Sequence, residues 1–97
     1  MKHRILLAQQ AVRDLRRLRA HDQAAVRVAI EKHLRHQPKR TSKSRIKRLR
    51  GLKKPEYRLR VGDVRVFYDV AGDEVHILAI VSKLDSDKWL AEEGEQS

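Results

Sequence analysis

Apolar positions recur at spacings of three and four through the first third of the chain, and at two beyond residue 56. His3 to Leu7 is a short apolar stretch bounded by charge, which predicts an edge strand. From Ala8 to Arg19, the residues Ala11, Val12, Leu15 and Leu18 fall on one helix face. His21-Asp22 interrupts that pattern, and Asp22 is expected to cap a second helix. This helix should run to about His36, turning Ala25, Val26, Ala29, Ile30 and Leu34 inward, and Pro38 should end it. Two helices joined so closely make an αα-hairpin, whose outer faces carry Arg13, Arg16, Arg17, Arg27, Lys32 and Arg35.

After Pro38 the chain is polar. Thr41, Ser42 and Ser44 suggest a flexible linker, anchored only by Ile46 and Leu49 before Leu52. From Tyr57 the alternation is strand-like, with Gly62-Asp63 as a two-residue turn whose glycine stands where a type II′ turn needs it, and Gly72-Asp73 as a second turn. Strict alternation assigns Tyr57, Leu59, Val61, Val64, Val66, Tyr68, Val70, Val75, Ile77, Ala79 and Val81 to the face packed on the helices. Arg58, Arg60, Arg65, Phe67, Asp69, His76, Leu78, Ile80 and Ser82 then share the opposite face. Asp85 to Glu93 should form a terminal helix capped by Ser86 or Asp85, with Glu95-Gln96-Ser97 frayed. The expected fold is therefore α+β, an antiparallel β-meander packed on an N-terminal αα-hairpin. Its order is β-α-α-β-β-β with a short C-terminal helix, in one domain spanning residues 1–97.

Charge changes what this fold is expected to meet. Residues 1–60 carry 20 Lys/Arg against 4 Asp/Glu, whereas residues 61–97 carry 3 against 9. Between Lys39 and Lys54, nine of sixteen residues are basic. So dense a run, with few acids beside it, points to a polyanion and in particular to a nucleic acid. Arg45, Lys47, Arg48, Lys53 and Lys54 from this run, with Arg58 beyond it, are the expected nucleic-acid-binding residues. No membrane span or signal peptide is legible, which predicts a cytoplasmic protein. The chain has no cysteine, so neither a thiol nucleophile nor a thiolate metal site is available. No metal or other cofactor is expected, because the five histidines lack ligand spacing and no Gly-rich phosphate loop is present.

The hairpin register sharpens the charge argument. If Gly62-Asp63 is the turn, Arg60 faces Arg65 and Arg58 faces Phe67. Like charges directly opposite repel. A phosphate between them would be held instead, since guanidinium forks match its oxygens. Intercalation of Asp69, Asp85 or Asp87 would be the purely structural way to relieve the repulsion. His76 is placed across from Asp69, as a surface pair more than a base. Trp89 is expected to pin the terminal helix onto Leu78 and Ile80, although it could also stack on an RNA base.

Three segments carry a family resemblance: Leu49-Arg50-Gly51-Leu52, then Tyr57 to Tyr68 (YRLRVGDVRVFY), then Val75 to Val81. They resemble the RelE/ParE toxin superfamily, whose fold is that of microbial ribonucleases, and with the preceding helices they cover nearly the whole chain. The resemblance implies a toxin of a type II toxin–antitoxin system, acting as a metal-independent endoribonuclease that cuts messenger RNA on the ribosome and stops translation. It implies catalytic roles for Arg60, Arg65 and Lys83, with Arg58 at a further basic strand position. In RelE-like enzymes a C-terminal tyrosine or histidine moves protons; this chain has Asp87-Lys88-Trp89-Leu90 in that window, and none of these is a phenol or an imidazole. Two further functions therefore stay open, a ParE-like inhibitor of DNA gyrase and a non-catalytic module that binds RNA or antitoxin. The implied partners are messenger RNA, the ribosome and a cognate antitoxin. An acidic, amphipathic antitoxin segment should favour the face with Phe67, Leu78 and Ile80 and the cationic helices.

Overall fold

A computed structural model describes residues 2–96. Strand β1 (Arg4–Leu7) leads into helices α1 (Gln9–Arg17) and α2 (Ala20–Ala29), and a wide π-helical turn (Ile30–Leu34) continues α2. Short strands β2 (Ile46–Arg48) and β3 (Leu52–Lys54) precede the meander β4 (Tyr57–Val61), β5 (Val64–Ala71) and β6 (Glu74–Ser82). A 3-10 turn (Lys83–Asp85), helix α3 (Ser86–Glu93) and strand β7 (Glu95–Gln96) complete the chain. The α+β class and the helix-pair-then-meander order are as expected. The main sheet runs β1-β6-β5-β4-β2, with β1 parallel to β6 at one edge and the other pairs antiparallel.

Several local expectations need correction. Asp22 lies in the first turn of α2, because the helix already begins at Ala20 with Arg19 in the capping position. An acid there favours the helix dipole without capping it. Ala25 is exposed, because Val26, Ala29 and Ile30, spaced by three and four, form the inward stripe. The segment after Pro38 is not a free linker. The Tyr68 hydroxyl donates to the Pro38 carbonyl at 2.7 Å, and the Ser42 hydroxyl accepts from the amides of Arg45 and Ile46. Ile46 then enters the core as the first residue of β2. At the far end, Glu95 and Gln96 pair with β3 instead of fraying, whereas Ser97 lies outside the described residues. Asp85 does occupy the N-cap position of α3, but the side chain that caps the preceding 3-10 turn is Ser82.

Both hairpin turns have positive φ at glycine alone, +58° at Gly62 and +60° at Gly72. The β4–β5 register is the expected one, Arg60 opposite Arg65 and Arg58 opposite Phe67. Strict alternation fails in β6. Phe67 pairs with Ala79 but Tyr68 pairs with Ile77, which leaves Leu78 as an extra residue on β6. Such a bulge exchanges the two faces beyond it. Ile80 therefore joins Val66 in the helix-side core, while Ala79 and Val81 turn to the outer face beside Phe67 and Arg65. Helix α1 supports the bulge: the Ile80 amide donates to Asp14 Oδ2 at 3.0 Å where β1 has already ended. The core between helices and sheet joins Ala11, Val26, Ile30 and Leu34 to Leu59, Val66, Tyr68, Val75, Ile77 and Ile80.

Candidate nucleic-acid interface

The face of the sheet turned away from the helices carries a cluster of cations built by register. Arg58 and Arg60 alternate with the core residues Tyr57 and Leu59 on β4. Arg65 lies across from Arg60 on β5, and Lys47 lies across from Arg58 on β2. Arg65 is 7% exposed, and its Nη1 donates to the carbonyls of Gly62 at 2.8 Å and Val64 at 3.2 Å. The turn thus holds this guanidinium in place. Arg58 is half-buried, and its Nε is buried without a hydrogen-bond partner. Burial above all, then the charges of Arg65 and Arg60, lower the Arg58 pKa. An arginine so placed keeps its proton and lacks an anion.

Among the described residues, no carboxylate forms an ion pair with Arg58, Arg60 or Arg65. Asp69 and Asp85 are engaged elsewhere. Asp69 Oδ1 accepts from the Glu56 amide at 2.7 Å, and Asp85 Oδ2 accepts from the Ser82 hydroxyl at 3.0 Å. Burial raises the Asp69 pKa, against the opposing hydrogen bond from Glu56. The cluster therefore has no paired carboxylate among the described residues, and Arg60 is its exposed member.

The other predicted residues divide among several surfaces. Lys83 joins the cluster's end of the sheet, its amide donating to the Asp63 carbonyl in the β4–β5 turn at 2.7 Å. Arg48 does not: it lies over the Tyr57 ring, 5.6 Å from the centroid, on the helix side. Arg45 lines a groove beside the π-helical turn, and Lys53 and Lys54 stand exposed on β3 against β7. His76 does lie opposite Asp69, but its Nε2 meets Glu74 Oε1 at 2.9 Å. That level is four residues along β5 from Arg65, roughly 13 Å at the strand rise, so the imidazole stands apart from the arginines.

Helix α3 crosses the outer face. The Trp89 ring stacks on Phe67, with centroids 4.9 Å apart and planes 7° from parallel. Trp89 is thus a packing residue as expected, but its partner is Phe67, since the bulge has removed Ile80 to the core. Phe67 is fully buried, so the apolar surface expected for an antitoxin is already covered at Phe67 and absent at Ile80. Neither phenol of the chain reaches this face. Tyr57 and Tyr68 stack on each other in the core at 5.5 Å. Among the described residues, no three His, Asp or Glu side chains gather as metal ligands would, and no helix is long and apolar enough to cross a membrane.

Known proteins give an independent view of this arrangement. The family model for the ParE toxin of the type II toxin–antitoxin system parDE matches residues 5–85. The fold is similar to the archaeal RelE–RelB complex from Pyrococcus horikoshii OT3, at 26% identity and TM-score 0.69, covering 86% of this chain and 97% of that one. It is similar to the toxin–antitoxin complex RelBE2 of Mycobacterium tuberculosis, at 26% identity and TM-score 0.63, covering 84% and 99%. A mutant of the E. coli toxin RelE in the free state shares the fold at 17% identity and TM-score 0.69, with 92% of each chain covered. No curated protein sequence matches the chain.

Proposed function

The chain belongs to the RelE/ParE family of type II toxin–antitoxin toxins, and from that premise we propose that its outer sheet face takes messenger RNA on the ribosome and cleaves it. One observation carries this: Arg58, Arg60 and Arg65 share a face with no carboxylate paired to them among the described residues, and a buried Arg58 Nε lacks a partner. The reaction is attack of an RNA 2′-hydroxyl oxygen on its neighbouring phosphorus. The new O–P bond gives a 2′,3′-cyclic phosphate as the bond to the 5′-oxygen breaks. Guanidinium forks on the non-bridging oxygens would stabilise the charge that builds on the phosphorane. Lys83, at the same end of the sheet, is the candidate donor to the departing 5′-oxygen. The 2′-hydroxyl proton passes to water or to a ribosomal group, as no phenol or imidazole stands within the arginine cluster.

A cognate antitoxin is the other partner of a type II toxin, and the relatives from P. horikoshii and M. tuberculosis are toxin–antitoxin complexes. An acidic, amphipathic antitoxin segment suits the cationic helix surfaces around Arg13, Arg16, Arg17 and Arg27 better than the covered Phe67.

The absence of a phenol or imidazole from the arginine face also favours a second reading, inhibition of DNA gyrase without cleavage. Primer extension on a translated message after induction separates the two. Codon-linked cuts that vanish in Arg58→Ala/Arg60→Ala support RNA cleavage. Inhibited supercoiling with no cuts supports the second reading.

A further inference from the structure

A groove on the other side of edge strand β2 belongs to no part of the arginine face. It encloses about 400 Å³ between the π-helical turn and the loop that leads into β2. Lys32 and His33 line it from the turn, His36 from just beyond the turn, and Arg40, Ser44 and Arg45 from the loop. The nearest acid along the turn, Glu31, is already ion-paired with Arg35. Gln37 Oε1, which accepts from Arg40 Nη1 at 3.0 Å, carries no charge. Burial, then the charges of Arg45 and Lys32, hold His33 below its ordinary pKa. Cations are thus gathered around a concave space with no anion among the lining residues.

The groove adjoins the outer face in a specific way. Ile46 opens β2 with its side chain in the core, and Arg45 immediately before it lines the groove. Lys47 immediately after it stands on the outer face opposite Arg58. Three consecutive residues at the sheet edge therefore link the two basic surfaces, and no other strand of the main sheet lies beyond β2.

We propose that this groove is a second phosphodiester site, holding a further stretch of the same RNA strand after it leaves the arginine face and rounds the β2 edge. The proposal rests on the reading of the outer face as an RNA site. Phosphate is the fitting ligand because its oxygens accept from guanidinium, ammonium, imidazole and hydroxyl donors together. A single strand can bend around an edge that a duplex could not follow.

The test uses the full chain and uncleavable 2′-O-methyl RNAs of about 12 and about 4 nucleotides, followed by fluorescence anisotropy across a salt series. The short RNA reports the arginine face alone. Lys32 and Arg40 are both exposed, so Lys32→Ala/Arg40→Ala can be checked for an unchanged melt before binding is read. Each phosphate contact to a single strand contributes about 0.7 to the slope of log affinity against log salt. The double variant should flatten the slope for the long RNA by about 1.4 and leave the short RNA's slope as it is. An unchanged long-RNA slope overturns the groove while the arginine face stands. The groove is also overturned if the variant keeps RNA binding but loses a glutamate-rich peptide. If the wild type binds neither RNA, the reading of the outer face fails and the groove site falls with it.

Discussion

Arg60 and Arg65 face each other across the β4–β5 hairpin, one exposed and one almost fully buried, with no carboxylate paired to either among the described residues. The Arg65 guanidinium is fixed by the carbonyls of Gly62 and Val64, whereas that of Arg60 has no such hold among the described residues. The repulsion between them is therefore relieved most simply by removing Arg60, and stability and binding should respond to that change with opposite signs.

Arg60→Ala should stabilise the fold by on the order of a few tenths of a kcal/mol at low ionic strength, because a cross-strand repulsion is removed. The gain should shrink as salt screens the pair. RNA affinity should fall in the same variant, with the salt slope reduced by about 0.7. Urea melts at two salt concentrations beside an RNA titration check both signs. A loss of stability at low salt would show that repulsion does not govern the pair.

Trp89 closes the outer face over Phe67, and it is the only tryptophan of the chain. Removing the stack in Trp89→Ala should cost about 1–2 kcal/mol, given that the indole is only half-buried. For a domain of this size that is a fall in Tm of roughly 4–16 °C. Trp89→Phe should recover most of it. In the wild type the intrinsic fluorescence should shift red before the global transition if α3 detaches first. Equal melts for Trp89→Ala and the wild type would contradict the packing role.

Tyr68 sets an alkaline limit. Burial, and to a lesser degree Tyr57, raise its pKa well above the ordinary 10.0. Above pH 10 the unfolded chain releases this proton while the folded chain keeps it, so the folded state binds more protons and stability falls as pH rises. The slope should be up to about 1.4 kcal/mol per pH unit for this group. Tyr68→Phe should lack that limb. It should also lose about 1 kcal/mol at neutral pH with the hydrogen bond to Pro38. Equilibrium melts from pH 7 to 11 separate the two effects.

The arginine pair is legible in the sequence because the β4–β5 hairpin is over-determined. Gly62 fixes the turn, and alternate apolar and basic residues from Tyr57 to Val61 fix the face. Strand β6 offers no such mark. From Val75 to Val81 every residue except His76 is apolar, so a one-residue slip at Leu78 leaves the polarity pattern unchanged. The exchange of Ile80 for Ala79 and Val81 follows from that, as does the choice of Phe67 as the partner of Trp89. Strands β2, β3 and β7 are two or three residues long and mostly charged or polar, too short to show a period. Their pairing partners alone make them strands. The basic run from Lys39 to Lys54 is legible as charge, but composition cannot divide it. Register and packing send Lys47 to the outer face, Arg45 to the groove and Arg48 over Tyr57.

Whether the outer face is a phosphodiester site can be read from the Nε–H signals of the arginines in ¹H–¹⁵N NMR spectra. An uncleavable 2′-O-methyl dinucleotide is added in steps. The signals of Arg58, Arg60 and Arg65 should move together and saturate at one common affinity. The Arg60 signal should show the largest change, because its guanidinium is the exposed one of the three. Shifts confined to the arginines between Lys39 and Lys54, or none that saturates, would contradict a phosphodiester site on this face.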